Sequence, residues 1–457
     1  MIKTKIQLIN PPLNKDYSFS LRTGIYAPLN LATLAGYIEH YDSSIEIEIL
    51  DGEMESWDIF LMKINASVVG ISCNIMTYES TLKIAEYAYS RGCKVVLGGP
   101  FATSLPEEIL KQRPFIDAVI AGDGEKALLD YVQGKPYNSI PNLVYRDGKD
   151  IVRNRSIITN ISTLPLPDYS SLNMKGYFSN YKIRYGIHKP FNGSFAISSI
   201  KGCHWRDVSE DGCIFCMIPN KGVQYSNCER IWHEIKYLKE LYDIDYFWDV
   251  SDSFVDNKEW LEEFYRTKPE NLDVGFEIYG RANTINEKKA KLLKDIGVFE
   301  VFVGAESGDE QILKNINKPV TKKLVLRAIE ALRSYNIKAT VSFVIGLPGE
   351  THQSLANTIR FAEQLSNYEN VIETSTSVMM PIPGSRAFKD LMQVRGMKEK
   401  HSGDRLDLEE IRRDWIRNFT KLTYKDLEKG MNDVTSMFVL NSNFSQPKHK
   451  YISAPDC

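Results

Sequence analysis

The polar and apolar positions of residues 1–135 follow two alternating periods. Short apolar runs, which are typical of buried strands, are separated by stretches in which apolar residues recur every three or four positions, as on one face of a helix. The predicted strands are the segments KIQLIN, SIEIEIL, SVVGIS, KVVLGG and IDAVIAG. Strands that alternate with helices pair in parallel through right-handed crossovers. Residues 1–135 therefore predict a doubly wound parallel α/β sheet.

The same alternation resumes in residues 193–385. Six further strands are predicted, in the segments SFAISSIKG, DYFWDVSDSF, DVGFEIYGRAN, VFEVFVGAESGDEQIL, KATVSFVIGLPGET and STSVMMPIPGS. Helices are predicted between them at about 257–266, 286–296, 321–335 and 351–366. This pattern predicts a second α/β domain built from six strand–helix units.

Two other regions lack this alternation. Residues 136–192 show weak periodicity and contain five prolines, so we expect an extended linker between the two domains. Residues 386–457 are rich in charge, with helices expected at 408–420 and 424–437. They predict a small, mainly helical C-terminal region.

Composition and charge narrow the function. The 457 residues are 43% hydrophobic and 25% charged, and the formal net charge is -3. No broad positive field is available to hold phosphates, so a nucleic-acid partner is not expected. No segment approaches the roughly 18 apolar residues of a membrane span, and no secretory signal is visible. We therefore expect a cytoplasmic protein without a membrane partner.

Ligands of doubly wound sheets bind at the carboxyl ends of the strands. In the first domain the loops there are rich in glycine and proline, which allow a backbone to approach a ligand or simply form tight turns. No G-x-G-x-x-G motif follows the first strand, so a dinucleotide is not indicated. The candidate ligand-binding residues in these loops are Pro12, Ser72, Gly98, Gly99, Pro100, Gly122, Gly124 and Glu125.

Three of the seven cysteines lie within the sixteen residues KGCHWRDVSEDGCIFC. Cys203 follows a predicted strand, and nine residues later Cys213 and Cys216 form a C-x-x-C pair. Thiols stay reduced in the cytoplasm, so this cluster indicates metal or redox chemistry rather than disulfides. Cys73 and Cys93 lie in apolar segments, where buried and unreactive thiols are expected.

Two inorganic sites fit three such cysteines. A structural zinc ion needs four ligands, and Cys228 or His204 could supply the fourth. A four-iron cluster held by three thiolates leaves one iron open to a substrate or cofactor. In that case Cys228 is either a bystander or a catalytic thiol that donates a hydrogen atom.

The first domain resembles a known family in several segments. NPPL, APLNLATLAGYIE, DGE, VVGIS, VVLGGPFATSLPEEIL and AGDGEKAL occur in the order found in the Rossmann-like cobalamin-binding domain fused to many radical S-adenosylmethionine enzymes. The resemblance covers most of residues 5–132 and implies bound cobalamin. Two features depart from the pattern: the Asp-x-His-x-x-Gly element is absent, as is usual in the fused class, and Phe101 replaces a frequent histidine. A domain that no longer binds cobalamin is the alternative.

Residues 195–385 resemble the partial (βα)6 TIM barrel of the radical S-adenosylmethionine superfamily. The resemblance implies that Cys203, Cys213 and Cys216 hold a [4Fe-4S] cluster whose open iron binds S-adenosylmethionine. Most members space the first two cysteines by three residues, whereas here the gap holds nine. We expect the insert to bulge as a loop, with Trp205 covering the cluster or the adenine.

The same resemblance implies roles for residues at the strand ends. The expected contacts with S-adenosylmethionine are Ser251, Asp252 and Ser253 to its amino group, Arg281 to its carboxylate, Glu306 to its ribose, Val344 and Ile345 to its adenine, and Gly346 in the turn beside it. Three of these assignments have a structural alternative. Residues 251–253 can cap the next helix, Arg281 can pair with Glu277 or Asp252, and Glu306 can pair with Lys314 or Lys318. Glu350 is expected to cap a helix.

The implied function is radical chemistry. The leading hypothesis is cobalamin-dependent methyl transfer to an unactivated carbon of a peptide or natural-product intermediate, with a flavodoxin or ferredoxin as electron donor. The alternative is epimerisation, dehydration, decarboxylation or rearrangement without methyl transfer. A zinc-stapled or cluster-containing binding protein is the non-enzymatic alternative. Residues 386–457 are expected to cover the substrate, and Asp414, Trp415 and Arg417 are either exposed or substrate contacts.

Overall fold

The structure is a computed structural model that describes residues 4–13, 24–185, 189, 191–210, 212–218 and 222–441. Parts of the predicted linker and the last sixteen residues of the predicted C-terminal region, 442–457, therefore lie outside the described residues. The chain forms two compact units. Unit 1 comprises residues 1–196 and 403–405, and unit 2 comprises residues 197–402 and 406–457.

Unit 1 is built on a seven-stranded sheet in the order β2-β1-β3-β4-β5-β6-β7. The strands are β1 Lys5–Asn10, β2 Glu46–Asp51, β3 Val68–Ser72, β4 Lys94–Gly98, β5 Ala118–Ile120, β6 Leu143–Asp147 and β7 Asp150–Arg153. The helices are α1 Leu29–Tyr41, α2 Trp57–Met62, α3 Tyr78–Ser90, α4 Pro100–Ser104, α5 Pro106–Gln112, α6 Glu125–Val132 and α7 Met174–Tyr185. Strands β1 to β5 pair in parallel, which confirms the predicted doubly wound sheet.

The predicted linker contains structure that the sequence interpretation missed. Strands β6 and β7 form an antiparallel hairpin, and β6 pairs with β5 at the edge of the parallel sheet. Gly148 occupies the turn of this hairpin with a φ of +61°, a left-handed conformation that glycine adopts without strain. The guanidinium of Arg146 fastens the hairpin to α5 by donating to the carbonyls of Leu110, Arg113 and Ile116. Residues 143–153 thus extend the first sheet rather than connect domains.

Unit 2 is built on a six-stranded sheet in the order β15-β14-β13-β12-β11-β8. The strands of this sheet are β8 Ser194–Ile197, β11 Tyr246–Asp249, β12 Gly275–Gly280, β13 Val298–Glu306, β14 Lys338–Ile345 and β15 Val371–Val378, and the first three residues of β8 precede the boundary at residue 197. The short strands β9 Ile200–Lys201 and β10 Gln224–Tyr225 form a separate antiparallel pair. The helices are α8 His204–Val208, α9 Cys228–Tyr242, α10 Lys258–Arg266, α11 Glu287–Ile296, α12 Glu310–Asn315, α13 Lys322–Ser334, α14 His352–Ser366, α15 Arg386–Gln393, α16 Met397–Lys400, α17 Leu408–Phe419 and α18 Tyr424–Asn441. Strands β11 to β15 pair in parallel, as the predicted partial barrel requires.

Burial alternates along the second half of β14 and separates the two faces of this strand. In β14, Val341, Phe343 and Ile345 are buried, whereas Ser342 and Val344 on the other face are only half-buried. Side chains of a strand point to opposite faces at successive positions, so Val341, Phe343 and Ile345 belong to the apolar core. The carboxyl ends of the same strands carry the polar residues of the candidate site.

Candidate functional site

The three clustered cysteines lie just past the short strand β9. Cys203 is the N-cap residue of α8, and Cys213 and Cys216 share a tight turn in which Cys216 N donates to Cys213 O at 3.0 Å. Burial raises the pKa of the Cys213 thiol to about 11, with smaller contributions from charges that include those of Cys216 and Cys203. The three thiols therefore lie within electrostatic reach of one another.

Zinc and an iron–sulfur cluster place different demands on these thiols. A structural zinc ion needs four ligands around one atom, whereas a four-iron cluster binds each thiolate on a different iron. Among the described residues, no group of three His, Cys, Asp or Glu side chains is arranged to hold one metal ion. Cys203 at the start of α8 and the pair Cys213 and Cys216 in one turn are the residues that could hold the cluster.

The insert between Cys203 and Cys213 is not a loop throughout, contrary to the sequence prediction. It begins with the short helix α8, which residues 222 and 223 brace by donating their backbone N–H groups to Asp207 at 2.8 and 3.0 Å. The indole of Trp205 donates to the carbonyl of Asn317 at 2.8 Å. Coverage of the cluster or the adenine by Trp205 stays a prediction.

Ser251, Asp252 and Ser253 hold the segment that leads to Cys203. Ser251 Oγ accepts from the N–H groups of residues 199 and 200 at 3.0 and 2.7 Å. Asp252 accepts from Gly202 N at 3.1 Å, and Ser253 accepts from His204 N at 3.4 Å. The helix that follows is capped by Asn257, so the alternative role as helix caps is wrong. Their contact with the amino group of S-adenosylmethionine stays a prediction.

Arg281 carries unsatisfied hydrogen-bond donors at the end of β12. Its Nη2 pairs with Asp256 Oδ2 at 2.5 Å, not with Glu277 or Asp252 as the alternative supposed. Its Nε and Nη1 are buried and find no acceptor among the described residues. An unsatisfied buried donor costs about 1–3 kcal/mol, so the arrangement favours an anionic ligand. Contact of Arg281 with the carboxylate of S-adenosylmethionine stays a prediction.

Glu306 ends β13 with a backbone φ of +60°, which is uncommon for any residue except glycine. The register between β13 and β14 shifts at this point. The carboxylate pairs with Lys318 at 2.6 Å, so Lys318 rather than Lys314 is its partner in this structure. A side chain at Gly304 would collide with Glu306 Oε1, so the pair requires glycine there. Contact of Glu306 with ribose stays a prediction.

The predicted adenine wall is only partly available. Ile345 is 0% exposed and packs in the core, because it points away from the face that carries Val344. Val344 is half-buried on the opposite face, and contact of Val344 or Ile345 with adenine stays a prediction. Gly346 has a φ of +81° and donates its N–H to Glu350 Oε2 at 2.5 Å. Thr351, not Glu350, caps α14, so Glu350 closes the turn instead of capping a helix.

The C-terminal region buttresses that turn. Trp415 is fully buried, stacks on Phe419 at 4.1 Å between ring centroids and donates to the carbonyl of Gly346 at 2.9 Å. Asp414 is also buried and accepts from Lys400 at 2.7 Å, whereas Arg417 is exposed. Asp414 and Trp415 are therefore structural rather than exposed residues.

Cys228 lies apart from the other candidate thiols. It is the first residue of α9, is buried, and approaches the carbonyl of Trp260 at 3.9 Å. Burial raises its pKa to about 12, and the nearby charges that act on it belong to Glu263, Arg266 and Glu229. These surroundings are typical of a structural thiol. The predicted catalytic role stays a prediction without support from the geometry.

In unit 1 the strand order reverses between β1 and β3. The candidate loops follow the carboxyl ends of the strands, which form one edge of the sheet. Several of the predicted residues are engaged within the unit. Ser72 accepts from Asn30 at 2.8 Å, Gly99 packs on the backbone of Cys73, and Glu125 accepts from Thr159 at 3.0 Å. The other predicted residues also sit at this edge: Pro12 beside Gly52, Pro100 at the start of α4, Gly122 with a φ of +124°, and Gly124 against Leu34.

Gly98 is the open position of this edge. A Cβ built on Gly98 would meet no atom of the described residues within 4 Å. Such a space admits a ligand close to the backbone, which fits the predicted cobalamin. Phe101 is buried and packs on Tyr78 at 4.7 Å between centroids, so the residue that replaces the frequent histidine is part of the core. Cys73 and Cys93 are buried, as predicted.

In the described part of the chain, none of the helices has the length and apolar character that crossing a bilayer requires.

Comparisons with known proteins agree with both units. The model of the radical SAM superfamily matches residues 197–362, and that of the B12 binding domain matches residues 21–132. An uncharacterised methyltransferase of Pyrococcus horikoshii is 31% identical over 405 residues, 84% of this chain and 82% of that one. The anaerobic magnesium-protoporphyrin IX monomethyl ester cyclase of Rubrivivax gelatinosus is 25% identical over 390 residues, 80% of this chain and 67% of that one.

Solved structures share the fold. TsrM from Kitasatospora setae, a radical S-adenosylmethionine methyltransferase with cobalamin and a [4Fe-4S] cluster bound, gives a TM-score of 0.69 at 18% identity, over 86% of this chain and 79% of that chain. The cobalamin-dependent radical enzyme OxsB gives 0.65 at 16% identity, over 92% of this chain and 58% of that chain. The chain therefore belongs to the cobalamin-dependent, methyltransferase-like enzymes of the radical S-adenosylmethionine superfamily, whose cofactors are a [4Fe-4S] cluster, S-adenosylmethionine and cobalamin.

Proposed function

We propose that this enzyme transfers a methyl group to an unactivated carbon of a peptide or of a small natural-product intermediate. The methyltransferase of Pyrococcus horikoshii, which matches along most of both chains, supports methyl transfer. When bound, the cluster and S-adenosylmethionine supply a 5'-deoxyadenosyl radical, and cobalamin carries the methyl group.

The observation that carries the proposal is the placement of Cys203 at the start of α8 and of Cys213 and Cys216 in one tight turn, with Cys203 and Cys216 both within electrostatic reach of Cys213. Three thiolates hold a four-iron cluster and leave one iron for the amino and carboxylate groups of S-adenosylmethionine. Arg281 presents buried N–H groups that lack an acceptor among the described residues, and these suit that carboxylate. The chain's contribution is to position the sulfonium and to exclude water.

The remaining strand ends complete the proposed cofactor site. Glu306 binds the ribose hydroxyls, Val344 packs on the adenine, and residues 251–253 bind the amino group while they hold the segment before Cys203. Gly346 keeps the turn narrow, because a side chain there would meet Ile416 Cδ1 at 2.7 Å. Residues 386–441 support this end of the sheet through Trp415, and we propose that they also limit access of the substrate.

The test is anaerobic reconstitution with iron and sulfide, followed by hydroxocobalamin, a reductant and S-adenosylmethionine labelled in its methyl group. The expected products are 5'-deoxyadenosine and S-adenosylhomocysteine, with the label recovered in the bound cobalamin. Omission of cobalamin should suppress S-adenosylhomocysteine while 5'-deoxyadenosine is still released. Failure to label the cobalamin would refute methyl transfer.

A second candidate function has one supporting observation. The cyclase of Rubrivivax gelatinosus matches 80% of this chain, although its name describes a ring closure and not a methylation. Radical rearrangement, epimerisation, dehydration or decarboxylation without methyl transfer is therefore the alternative. Release of 5'-deoxyadenosine without any S-adenosylhomocysteine, in the presence of cobalamin, favours it.

The proposed reaction needs one low-potential electron for each radical that is formed. A flavodoxin or a ferredoxin is the proposed donor. If so, reduced flavodoxin should replace dithionite in the same assay, and 5'-deoxyadenosine should form at a rate that saturates with flavodoxin concentration.

A further inference from the structure

Lys318 is a buried cation beside the cysteine turn. Its side chain is 10% exposed, and its Nζ lies 2.6 Å from Glu306 Oε1. The same Nζ lies 6.0 Å from the ring centroid of Phe215, the residue between Cys213 and Cys216. The ammonium therefore stands between the end of β13 and the turn that carries two of the cluster ligands.

The backbone around Lys318 fixes it to that turn. Asn317 has a φ of +55° and donates its Nδ2 to the carbonyl of Gly212 at 2.7 Å. Ile214 N donates to the carbonyl of Ile316 at 3.2 Å. Trp205 also donates to Asn317 O. The segment 316–318 thus holds both sides of the cysteine loop, and the position of the Lys318 charge is set by the fold rather than by a flexible side chain.

A fixed positive charge has a definite effect on a redox centre. Reduction of the cluster adds one electron, which an external reductant supplies, and so adds one negative charge to the site. A nearby ammonium stabilises that charge, because opposite charges attract one another more strongly in a protein interior than in water. Burial lowers the pKa of Lys318, whereas the charge of Glu306 and its hydrogen bond raise it; the net direction is upward, so the ammonium stays protonated.

We propose that Lys318 is a positioning residue of the radical-generating site, which holds Glu306 for the nucleoside and makes the cluster easier to reduce. The inference rests on the cluster of the proposed function but not on methyl transfer, because it concerns only cluster reduction and cofactor binding. Lys318 would act on the cluster through its charge, whereas the three cysteines of the proposed site would bind its iron directly.

The experiment is a redox titration of the reconstituted full-length enzyme without substrate, followed by electron paramagnetic resonance. For Lys318→Met, the midpoint potential should become more negative, so that the ratio of reduced to oxidised cluster at a fixed potential falls roughly tenfold. Lys318→Arg should keep the potential near that of the unmodified enzyme, because it keeps the charge. Binding of S-adenosylmethionine, measured by equilibrium dialysis, should weaken in Lys318→Met.

The chain offers matched controls. Lys314 is exposed, one helical turn earlier, so Lys314→Met removes the same charge and should leave the potential unchanged. Glu306→Gln should shift the potential in the opposite direction, and Glu306→Gln/Lys318→Met should return it towards the original value. The double variant also removes the buried unpaired carboxylate that could unfold Lys318→Met alone.

An unchanged potential in Lys318→Met and in Glu306→Gln, both at full iron content, would overturn the proposal and leave Lys318 a structural residue. Loss of methyl transfer with normal shifts in potential would instead contradict only the proposed function.

Discussion

The carboxyl edges of the two parallel sheets differ in what they leave unsatisfied. At the edge of unit 1, Asp51 accepts from Asn10 and Tyr177 at 2.8 and 2.5 Å. Glu55, in the loop after β2, keeps one buried carboxylate oxygen without a partner among the described residues, and open space lies beside the backbone at Gly98. At the edge of unit 2, the Arg281 guanidinium keeps buried donors without acceptors in the described structure.

This difference indicates which kind of ligand each edge can bind. The open space beside the backbone at Gly98 suits a large ring system that is held mainly by its shape and by contacts with the backbone. A buried guanidinium and a buried ion pair suit a small zwitterion whose charges they match. We therefore expect the edge of unit 1 to bind cobalamin and the edge of unit 2 to bind S-adenosylmethionine, and the following changes test this assignment.

The largest effect is expected from the cluster ligands. Cys213→Ala should lose the [4Fe-4S] cluster and reduce 5'-deoxyadenosine release more than a hundredfold, because no radical forms without the cluster. Iron content and product are measured together after anaerobic reconstitution. Cys228→Ala is the matched control and should keep both. Loss of substrate turnover in Cys228→Ala, with normal 5'-deoxyadenosine release, would restore Cys228 as a hydrogen donor.

Arg281 should matter next. Arg281→Gln removes the buried donors and should raise the dissociation constant of S-adenosylmethionine roughly tenfold or more, since hydrogen bonds to a charged group contribute about 1.5–3 kcal/mol. Equilibrium dialysis with the reconstituted enzyme measures this. Arg266→Gln removes an exposed arginine at the end of α10 and should have no effect. Equal affinities for the two variants would show that the guanidinium of Arg281 is structural.

At the edge of unit 1, Gly98→Val should weaken cobalamin binding about tenfold and leave thermal stability unchanged. A Cβ at this position meets no atom of the described protein within 4 Å, so we expect the fold to tolerate a side chain there and a bound ligand to be displaced by it. Gly99→Ala should do the reverse and lower the melting temperature, because its Cβ would lie 2.6 Å from Cys73 O. Unaltered cobalamin affinity in Gly98→Val would place the ligand elsewhere.

The smallest effect concerns the turn after β14. Burial raises the pKa of Glu350 to about 7, so between about pH 4.5 and 7 the folded protein keeps a proton that the unfolded chain has lost. The free energy of unfolding therefore falls as pH rises through this window. Glutamine cannot ionise, so Glu350→Gln should not lose this free energy as the pH rises. The free energy of unfolding of the variant minus that of the original chain should therefore be larger at pH 8 than at pH 5, by on the order of 2 kcal/mol. Denaturant unfolding at both values checks this, and a pH-independent difference would contradict it.

Much of the fold could be predicted because periodicity reports burial. The strands of both sheets and the cysteines after β9 follow from apolar runs and from the positions where those runs end. The hairpin of β6 and β7 was missed, although Asp147-Gly148 between alternating residues is a recognised turn signal. Five prolines in the surrounding segment had suggested an extended chain instead.

The pairing of the charged site residues could not be predicted in the same way. Arg281 and Asp256 are 25 residues apart, and their contact depends on the loop after β11. Lys314 and Lys318 were equal candidates for Glu306 in the sequence, and the choice depends on the path of residues 316–318. Likewise, the burial of Trp415 follows from its packing against Gly346, which no local pattern encodes.

The central claim is that Cys203, Cys213 and Cys216 hold a four-iron cluster with one iron open. Electron paramagnetic resonance of the reduced, reconstituted enzyme before and after addition of S-adenosylmethionine tests it most directly. If the cluster has one open iron, we expect a [4Fe-4S]⁺ signal that changes when S-adenosylmethionine is added and disappears in Cys213→Ala. Bound zinc with no such signal would contradict the presence of the cluster, and a signal that S-adenosylmethionine leaves unaltered would contradict the open iron.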